Sequence, residues 1–219
     1  MRLVLISDTH CQHDLLDIPP CDILIHAGDW TRKGSEFDTI DFLMWLESQT
    51  QAKNKIFISG NHDFYPEEEP EKFKELRNKW APNATYLEED SAVIGGYKFY
   101  GSPITPWFHS WAFNRVRGDE IRQHWDLIPD DTDVLITHGP ALGYGDKLSK
   151  YGSEPGARVG CADLLHTIDF RLRQLKLHVY GHIHEGFGTY VHKGITMANA
   201  AVLSDRYELK NPAIVFDLP

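Results

Sequence analysis

The chain has 219 residues, 42% of them hydrophobic and 25% charged, which is the composition of a globular protein able to bury a sizeable core. Its formal net charge of -10 at pH 7 argues against nonspecific binding to nucleic acid, and no apolar run is long enough to span a membrane. The three cysteines have no metal-finger spacing, so we expect no disulfides and a cytoplasmic location.

Short apolar runs predict the strands of an α/β fold. The first three cover residues 3–6, 22–28 and 56–59, and each is followed by polar residues or glycine. Further strands are expected at residues 133–137, 177–180, 195–199 and 213–216. No stretch between them has the composition of a domain linker, so we expect residues 1–219 to form a single domain.

Helical patterns and turns separate these strands. Ser35 is the expected N-cap of a helix ending near Gln49, and Pro66 opens a second helix that continues to Trp80. Later helices are expected at residues 118–128 and 161–174. Two strand-like runs on either side of Gly95 and Gly96 predict a β-hairpin over residues 85–101.

Two longer segments lack a regular period and are expected to be loops. Residues 103–113 are rich in aromatic side chains, including Trp107 and Phe108, and are too apolar for a free linker. Residues 141–160 are rich in glycine and polar side chains, and we expect them to lie over a functional site.

Residues with metal-binding side chains follow five of the predicted strands. In open α/β sheets the carboxyl ends of the strands converge on one crevice, so these side chains should meet there. In Asp8-Thr9-His10 and in the later His182-Ile183-His184, the first and third side chains can reach the same side of an extended segment. The expected metal ligands are Asp8, His10, Asp29, Asn61, His138, His182 and His184.

Seven ligands exceed the needs of one ion and fit two ions about 3.5–4 Å apart that share a carboxylate. Asp29 is the expected bridge, because Gly28 before it lets the backbone approach closely. Imidazole, carboxylate and amide ligands suit two divalent ions, and we expect Mn²⁺, with Fe, Zn, Co or Mg as alternatives. His26, His166, His178 and His192 are expected to be structural, His13 is not expected to be a ligand, and Cys11 is expected to be a small buried residue.

These motifs resemble a known family. Asp8-x-His10, Gly28-Asp29, Gly60-Asn61-His62-Asp63, His138-Gly139 and Gly181-His182-x-His184 resemble the five-part signature of calcineurin-like metallophosphoesterases, in order and spacing. Gly101-Ser-Pro-x-Thr-Pro-Trp-Phe and Arg158-Val-Gly-Cys161 are similar to the small metallophosphoesterase-domain-containing proteins. The resemblance implies a four-layer α/β/β/α sandwich of two mixed β-sheets flanked by helices.

The resemblance also implies roles for individual residues. Asp8, His10 and His184 would hold the first metal, Asn61, His138 and His182 the second, and Asp29 would bridge them. A hydroxide bridging the two metals would attack phosphorus, and His62 would protonate the leaving alkoxide.

One departure from the family concerns the partner of His62. Protein Ser/Thr phosphatases carry an Asp that orients this histidine, and here Arg32 stands at that place. His62 therefore needs another partner, for which Asp8 and Asp63 are the candidates. Arg32 itself either contacts a phosphate through its fork of donors or is an ordinary surface residue.

The function predicted is hydrolysis of small phosphodiesters, with 2′,3′- or 3′,5′-cyclic nucleotides as the leading substrates. The residues expected to contact the substrate are Arg32, Asn61, His62, Trp107 and Phe108, the two aromatic rings by stacking on a base. Alternatives are a phosphomonoesterase or nuclease with the same centre, or a scaffold protein with weak activity. We expect no stable nucleic-acid binding, no membrane association, and a monomer or homodimer.

Overall fold

Two β-sheets share one apolar core in the computed structural model, which describes residues 1–149 and 155–219. The first sheet contains four parallel strands, β1 (Arg2–Ile6), β2 (Cys21–Ala27), β3 (Ala52–Ile58) and β4 (Ala84–Tyr86). The C-terminal strand, Ile214–Asp217, pairs antiparallel with β1 and completes this sheet.

The second sheet has six strands. They are β5 (Asp90–Ile94), β6 (Tyr97–Ser102), β9 (Val134–Thr137), β10 (Leu177–Tyr180), β11 (Gly188–His192) and β12 (Ile195–Asn199). The order is β11-β12-β10-β9-β6-β5, with the four inner strands parallel and both outer strands antiparallel to their neighbours. Two short strands, β7 (Thr105–Pro106) and β8 (Asn114–Arg115), pair with each other in the aromatic segment.

Alternation of side chains along the strands explains the layers. Leu3, Leu5 and Ile25 of the first sheet and Ile136 and Val179 of the second point into the shared core and are fully buried. Each such aliphatic side chain contributes about 1.5–3 kcal/mol when buried. Their neighbours along each strand face outward and therefore need helices to cover them.

The helices cover these outer faces. They are α1 (Glu36–Ser48), α2 (Phe64–Glu68), α3 (Pro70–Trp80), α4 (Asp119–Trp125) and α5 (Ala162–Phe170). Phe42 of α1 and Phe73 of α3 pack on the first sheet, while Ile121 of α4 and Leu164 of α5 pack on the second. The four-layer α/β/β/α sandwich expected from the sequence is therefore confirmed.

Two predicted elements differ from the structure. The helix expected at 66–80 is two helices, because Pro70 has no backbone N–H and Glu69 before it leaves the helical region, with φ of −132°. The hairpin expected over 85–101 is only β5 and β6, since β4 joins the first sheet. Strand β11, which begins at Gly188, was not predicted.

The other predicted boundaries agree with the structure to within a few residues. Ser35 is the N-cap of α1, and its Oγ accepts a hydrogen bond from the backbone N–H of Asp38 at 3.0 Å. Of the loop expected at 141–160, residues 150–154 lie outside the described residues. None of the helices in the described part of the chain combines the length and the apolar character of a bilayer span.

Candidate metal centre

The carboxyl ends of β1, β2, β3, β9 and β10 meet at one edge of the sandwich, where the seven expected ligands lie together. Three groups of side chains bring their ligand atoms within 4.8 Å of one another. These groups are Asp8 with His10 and His184, His10 with Asp29 and His62, and Asp29 with His138 and His182. Asn61 joins the third group through a 3.0 Å contact between its Oδ1 and Nε2 of His138.

The backbone at this edge is turned rather than extended. Asp8, His10, Asp29 and His182 all have positive φ angles, of 55°, 40°, 58° and 67°. The expectation that Asp8 and His10 share one side of an extended segment is therefore wrong, although both side chains do reach the same group. Left-handed backbone in residues other than glycine is rare, and it clusters at functional sites.

Two glycines make room for the carboxylates. A Cβ atom added at Gly181 would overlap the carboxylate of Asp8, and one added at Gly60 would overlap that of Asp29. Only a residue without a side chain fits at either position. The two carboxylates can therefore lie directly against the backbone of neighbouring strands.

Four histidines are oriented in the same way. Nδ1 of His10, His62, His138 and His184 lies 2.7–3.0 Å from a backbone carbonyl oxygen, those of Thr31, Arg32, Ala27 and Ser204 respectively. A carbonyl only accepts, so Nδ1 must carry the hydrogen in each ring. Nε2 is then left for the centre of the site, which is the arrangement of metal-binding histidines.

The carboxylates and histidines perturb one another strongly. Burial lowers the pKa of His138, but the Asp29 carboxylate outweighs it and raises that pKa to about 9. Burial likewise opposes protonation of His184, but its hydrogen bond to Asp8 raises its pKa to about 9. The same contacts, against the effect of burial, lower the pKa of Asp8 and Asp29. Each of these two carboxylates thus favours the charged form of the histidine that it contacts.

The donor set fits divalent metal ions. Nε2 of His10 is buried and has no hydrogen-bond partner among the described residues, although it lies 3.7 Å from Asp29 Oδ2. A buried polar atom without a partner costs stability unless a ligand satisfies it. Two carboxylates, an amide and four imidazoles around this point are the ligand types of borderline divalent ions.

The site joins the two sheets. Asp29 follows β2 in the first sheet, and its Oδ2 lies 3.2 Å from Nε2 of His138, which follows β9 in the second. Asp8 follows β1, and its Oδ1 lies 3.3 Å from Nε2 of His184 in the other half of the sandwich. Two of the three groups combine residues that follow strands of both sheets. They are Asp8 and His10 with His184, and Asp29 with His138 and His182.

Asp63 supports the Asp29 loop. Its fully buried carboxylate accepts hydrogen bonds from the backbone N–H groups of Gly60, Asp29 and Thr31 at 2.8–2.9 Å. Burial and repulsion from Asp29 raise the pKa of Asp63, and these donors oppose the rise. Asp63 therefore fixes the turn that presents Asp29.

The prediction that Asp8 or Asp63 is the hydrogen-bond partner of His62 is wrong. Among the described residues, Nδ1 of His62 contacts the carbonyl of Arg32 at 2.7 Å. Its ring stacks on the indole of Trp111, with centroids 4.2 Å apart and planes 29° from parallel. A backbone carbonyl and an aromatic ring thus take the place of the carboxylate found in the Ser/Thr phosphatases.

A cleft over the centre has two arms. The large arm, about 490 Å³, is lined by Trp107 and Phe108 and by His182 and His184. The small arm, about 300 Å³, is lined by His10, Gln12, Arg32, His62 and Tyr207. Tyr207 also lines the large arm and so stands between the two.

Sequence reasoning missed two aromatic residues that contact the histidines of the centre. Tyr207 comes from the segment after β12, and its ring centroid lies 4.9 Å from that of His10. No motif surrounds it, so only the folded chain reveals its place. Trp111 carried a weak signal because it belongs to the aromatic segment noted in the sequence. Trp107 and Phe108 are 62% and 45% exposed, so their rings are available for contact.

Other histidines lie outside the ligand set. His26 and His178 are fully buried in strands, and each lies within 3.0 Å of a threonine hydroxyl, those of Thr9 and Thr137. His13 is buried against Trp45, with Nε2 3.2 Å from Asp41. These contacts agree with the expectation that none of the three is a metal ligand.

The chain is similar to proteins of one family. The family model for calcineurin-like phosphoesterases matches residues 1–186. The human metallophosphoesterase domain-containing protein 1 is 40% identical over 238 residues, which cover 100% of this chain and 71% of that protein. A Caenorhabditis elegans UPF0046 protein is 35% identical over 245 residues, covering 100% of this chain and 60% of its own length.

Solved structures agree in fold. The crystal structure of a phosphopantetheinyl hydrolase from Mycobacterium tuberculosis covers 94% of this chain and 90% of its own, with a TM-score of 0.60 and 16% identity. The TT1561 protein of Thermus thermophilus covers 90% of this chain and 88% of its own, with a TM-score of 0.60 and 14% identity. Taken with the site geometry and the sequence matches, the chain belongs to the calcineurin-like phosphoesterase family.

Proposed function

We propose that the protein is a dinuclear-metal-dependent phosphodiesterase that hydrolyses small phosphodiesters, with 2′,3′- or 3′,5′-cyclic nucleotides as the leading substrates. The observation that carries this proposal is the meeting of three ligand groups around Asp29, which belongs to two of them, with His62 beside it. Family membership supports a metal-dependent phosphoric ester hydrolase, and the cleft supports the narrower choice of substrate.

The proposed ligands divide into two sets. Asp8, His10 and His184 would hold one ion, Asn61, His138 and His182 the other, and Asp29 would contact both. Two divalent ions, Mn²⁺ foremost, would supply charge that polarises the phosphoryl oxygens and lowers the pKa of a water. The protein's own contribution is to fix the imidazoles of His10, His138 and His184 through their Nδ1–H bonds, so that little reorganisation is needed.

His62 is the proposed general acid. Its Nδ1–H is held by the Arg32 carbonyl, so the other ring nitrogen, Nε2, carries the exchangeable proton. Nε2 lies 4.0 Å from Asp29 Oδ2 and belongs with His10 and Asp29 to one of the three groups, so the proton would be held directly beside the centre. A leaving oxygen next to this nitrogen would receive its proton as the phosphorus–oxygen bond breaks.

Three features of the cleft favour a diester that carries a base over a monoester. The cleft has space for a substituent on each side of Tyr207, whereas a monoester has only one. Among the described residues, the large arm is lined by Glu185 and Asp205 against one cation, Arg117, and this excess of negative charge disfavours the second negative charge of a monoester. Exposed Trp107 and Phe108 provide surfaces on which a base can stack.

The test is hydrolysis by a metal-replete preparation. We expect turnover of bis-p-nitrophenyl phosphate and of cyclic nucleotides with added Mn²⁺, and loss of turnover in Asn61→Ala and His138→Ala. Phe170→Ala provides a control, because this ring is 62% exposed at the end of α5 and lines neither arm. No hydrolysis of any phosphodiester would refute the proposal. Faster hydrolysis of p-nitrophenyl phosphate would indicate a phosphomonoesterase, and activity on single-stranded nucleic acid a nuclease.

The proposal includes the setting of the enzyme. We place it in the cytoplasm as a monomer or homodimer with small-molecule substrates, and without a stable nucleic-acid or membrane partner. Cys11, Cys21 and Cys161 are free thiols, which suits a reducing compartment. The alternative of a scaffold with weak activity is disfavoured because the structure brings all seven expected ligand residues together.

A further inference from the structure

Tyr207 divides the cleft into two arms of different chemistry. Its ring centroid lies 4.9 Å from that of His10 and 5.3 Å from that of His184, so the ring lies directly over this side of the centre. Gln12 contacts the backbone of this residue, because its side-chain amide donates to the Tyr207 carbonyl at 3.0 Å. A phosphate held at the centre would therefore direct its two ester groups to different sides of this ring.

The small arm contains the proposed acid, and polar side chains form most of its lining. His62 lines this arm and does not line the large one. Arg32 lines it too, and its Nε makes only a long 3.4 Å contact to the His10 carbonyl. The terminal nitrogens of Arg32 have no partner among the described residues, so they are free to donate to a polar group.

The large arm is the aromatic one. Trp107 and Phe108 form one side of it, and Phe108 lies with its ring centroid 6.1 Å from that of His182. Its volume of about 490 Å³ lies within the range of about 300–1,000 Å³ usual for small-molecule sites. An aromatic group such as a base fits this arm better than it fits the polar small arm.

We infer that the enzyme cleaves its diester in one direction: the leaving alcohol occupies the small arm, and the ester group that stays on phosphorus occupies the large arm. The inference rests on the proposed function, since it uses His62 as the acid. The departing oxygen must lie within hydrogen-bond reach of that acid, and of the two arms as the described residues form them, only the small one is lined by His62.

The reaction balances as a simple hydrolysis. The bond from phosphorus to the leaving oxygen breaks, its electron pair stays on that oxygen, and His62 Nε2 supplies the proton. A new bond forms between phosphorus and the oxygen of water, and a proton of that water restores His62. From an open-chain diester the products are a small polar alcohol and a phosphomonoester that carries the aromatic group, whereas a cyclic nucleotide gives a single monophosphate. In a cyclic nucleotide, the same rule places the base in the large arm and turns the leaving hydroxyl toward Arg32.

An unsymmetrical diester tests the direction of cleavage. Naphthylethyl methoxyethyl phosphate has two primary alkyl alcohols of similar acidity, so their leaving ability alone does not determine the product. We expect naphthylethyl phosphate and methoxyethanol in about tenfold excess over the opposite pair, given the worth of aromatic stacking. Equal amounts, or an excess of naphthylethanol, would overturn the inference. If neither this diester nor bis-p-nitrophenyl phosphate is hydrolysed, the proposed function itself fails.

Binding of the two product monoesters gives a readout independent of turnover. We expect calorimetry with Mn²⁺-loaded protein to show two results when Trp107 and Phe108 are both replaced by Ala. The dissociation constant of naphthylethyl phosphate should rise about tenfold, and that of methoxyethyl phosphate should not change. Phe170→Ala, which removes an exposed ring outside the cleft, should change neither. Unchanged binding of naphthylethyl phosphate in the double variant would overturn the inference even where the alkyl diester reacts slowly.

Discussion

Protonation of His178 should govern part of the acid sensitivity of the fold. Nε2 of His178 lies 2.8 Å from the hydroxyl of Thr137, and that hydroxyl donates its own hydrogen to the Gly139 carbonyl at 2.7 Å. Nε2 must therefore carry a hydrogen and donate it, while Nδ1 is buried without a partner among the described residues. Burial lowers the pKa of His178 to about 3.

The direction of the effect follows from this pKa. In the unfolded chain the imidazole of His178 has its ordinary pKa of 6.5. Between that pH and pH 3 the unfolded state therefore binds a proton that the folded state does not bind. Stability from this group is complete above pH 6.5 and is lost progressively as pH falls toward 3. Between about pH 7 and pH 5 the loss is about 2 kcal/mol, because each pH unit in the window is worth about 1.4 kcal/mol.

Replacement of His178 by Gln isolates this contribution. The Gln amide can still donate to Thr137 but does not titrate, so the variant should lose about 2 kcal/mol less than the wild-type protein between the two pH values. Urea unfolding in the presence of a chelator, which removes the metal linkage, measures both losses. His166→Gln, at an exposed position of α5, is the matched control and should behave as wild type. Equal losses in wild type and His178→Gln would refute the reasoning.

Three further predictions concern the centre. Asp63→Asn should lower the free energy of unfolding in urea by about 3 kcal/mol. The buried N–H groups of Asp29 and Gly60 would lose their acceptor, at about 1–3 kcal/mol each. A decrease below about 1 kcal/mol would contradict this. His62→Ala should slow alkyl leaving groups about 100-fold more than p-nitrophenolate, which leaves without a proton, and equal slowing would count against the acid role. Trp111→Ala should show the same selectivity at about tenfold, and Trp111→Phe should restore the rate if stacking positions His62.

The strands and the expected ligands were accessible from sequence because their signals are local. Gly28-Asp29 lies directly at the end of an apolar run, so one short stretch of sequence indicates both the strand and the ligand that follows it. Parallel strands then bring such ends to one edge without any further information. Pro70, which divides α2 from α3, carried a local signal as well, and the acidic residues before it obscured that signal.

The surroundings of the ligands were not accessible in the same way. The partner of His62 is the carbonyl of Arg32, and every residue has a carbonyl, so no residue type marks this contact. Tyr207 reaches His10 across 197 residues of chain, through a segment with no recognisable motif. The left-handed backbone at Asp8 and His10 was not predicted, because a positive φ is uncommon even for Asp and His, which adopt it more often than most residues.

The contacts of Asp29 with His138 and of Asp8 with His184 have a consequence for the lifetime of the protein. Ions bound there would act as cross-links between the two halves of the sandwich, and these cross-links would be lost when the metal is removed. Resistance to proteolysis would then follow the free metal concentration of the surroundings, since a ligand that binds only the folded state stabilises it by mass action. Metal supply would thus set how much of the protein persists as well as how fast it works.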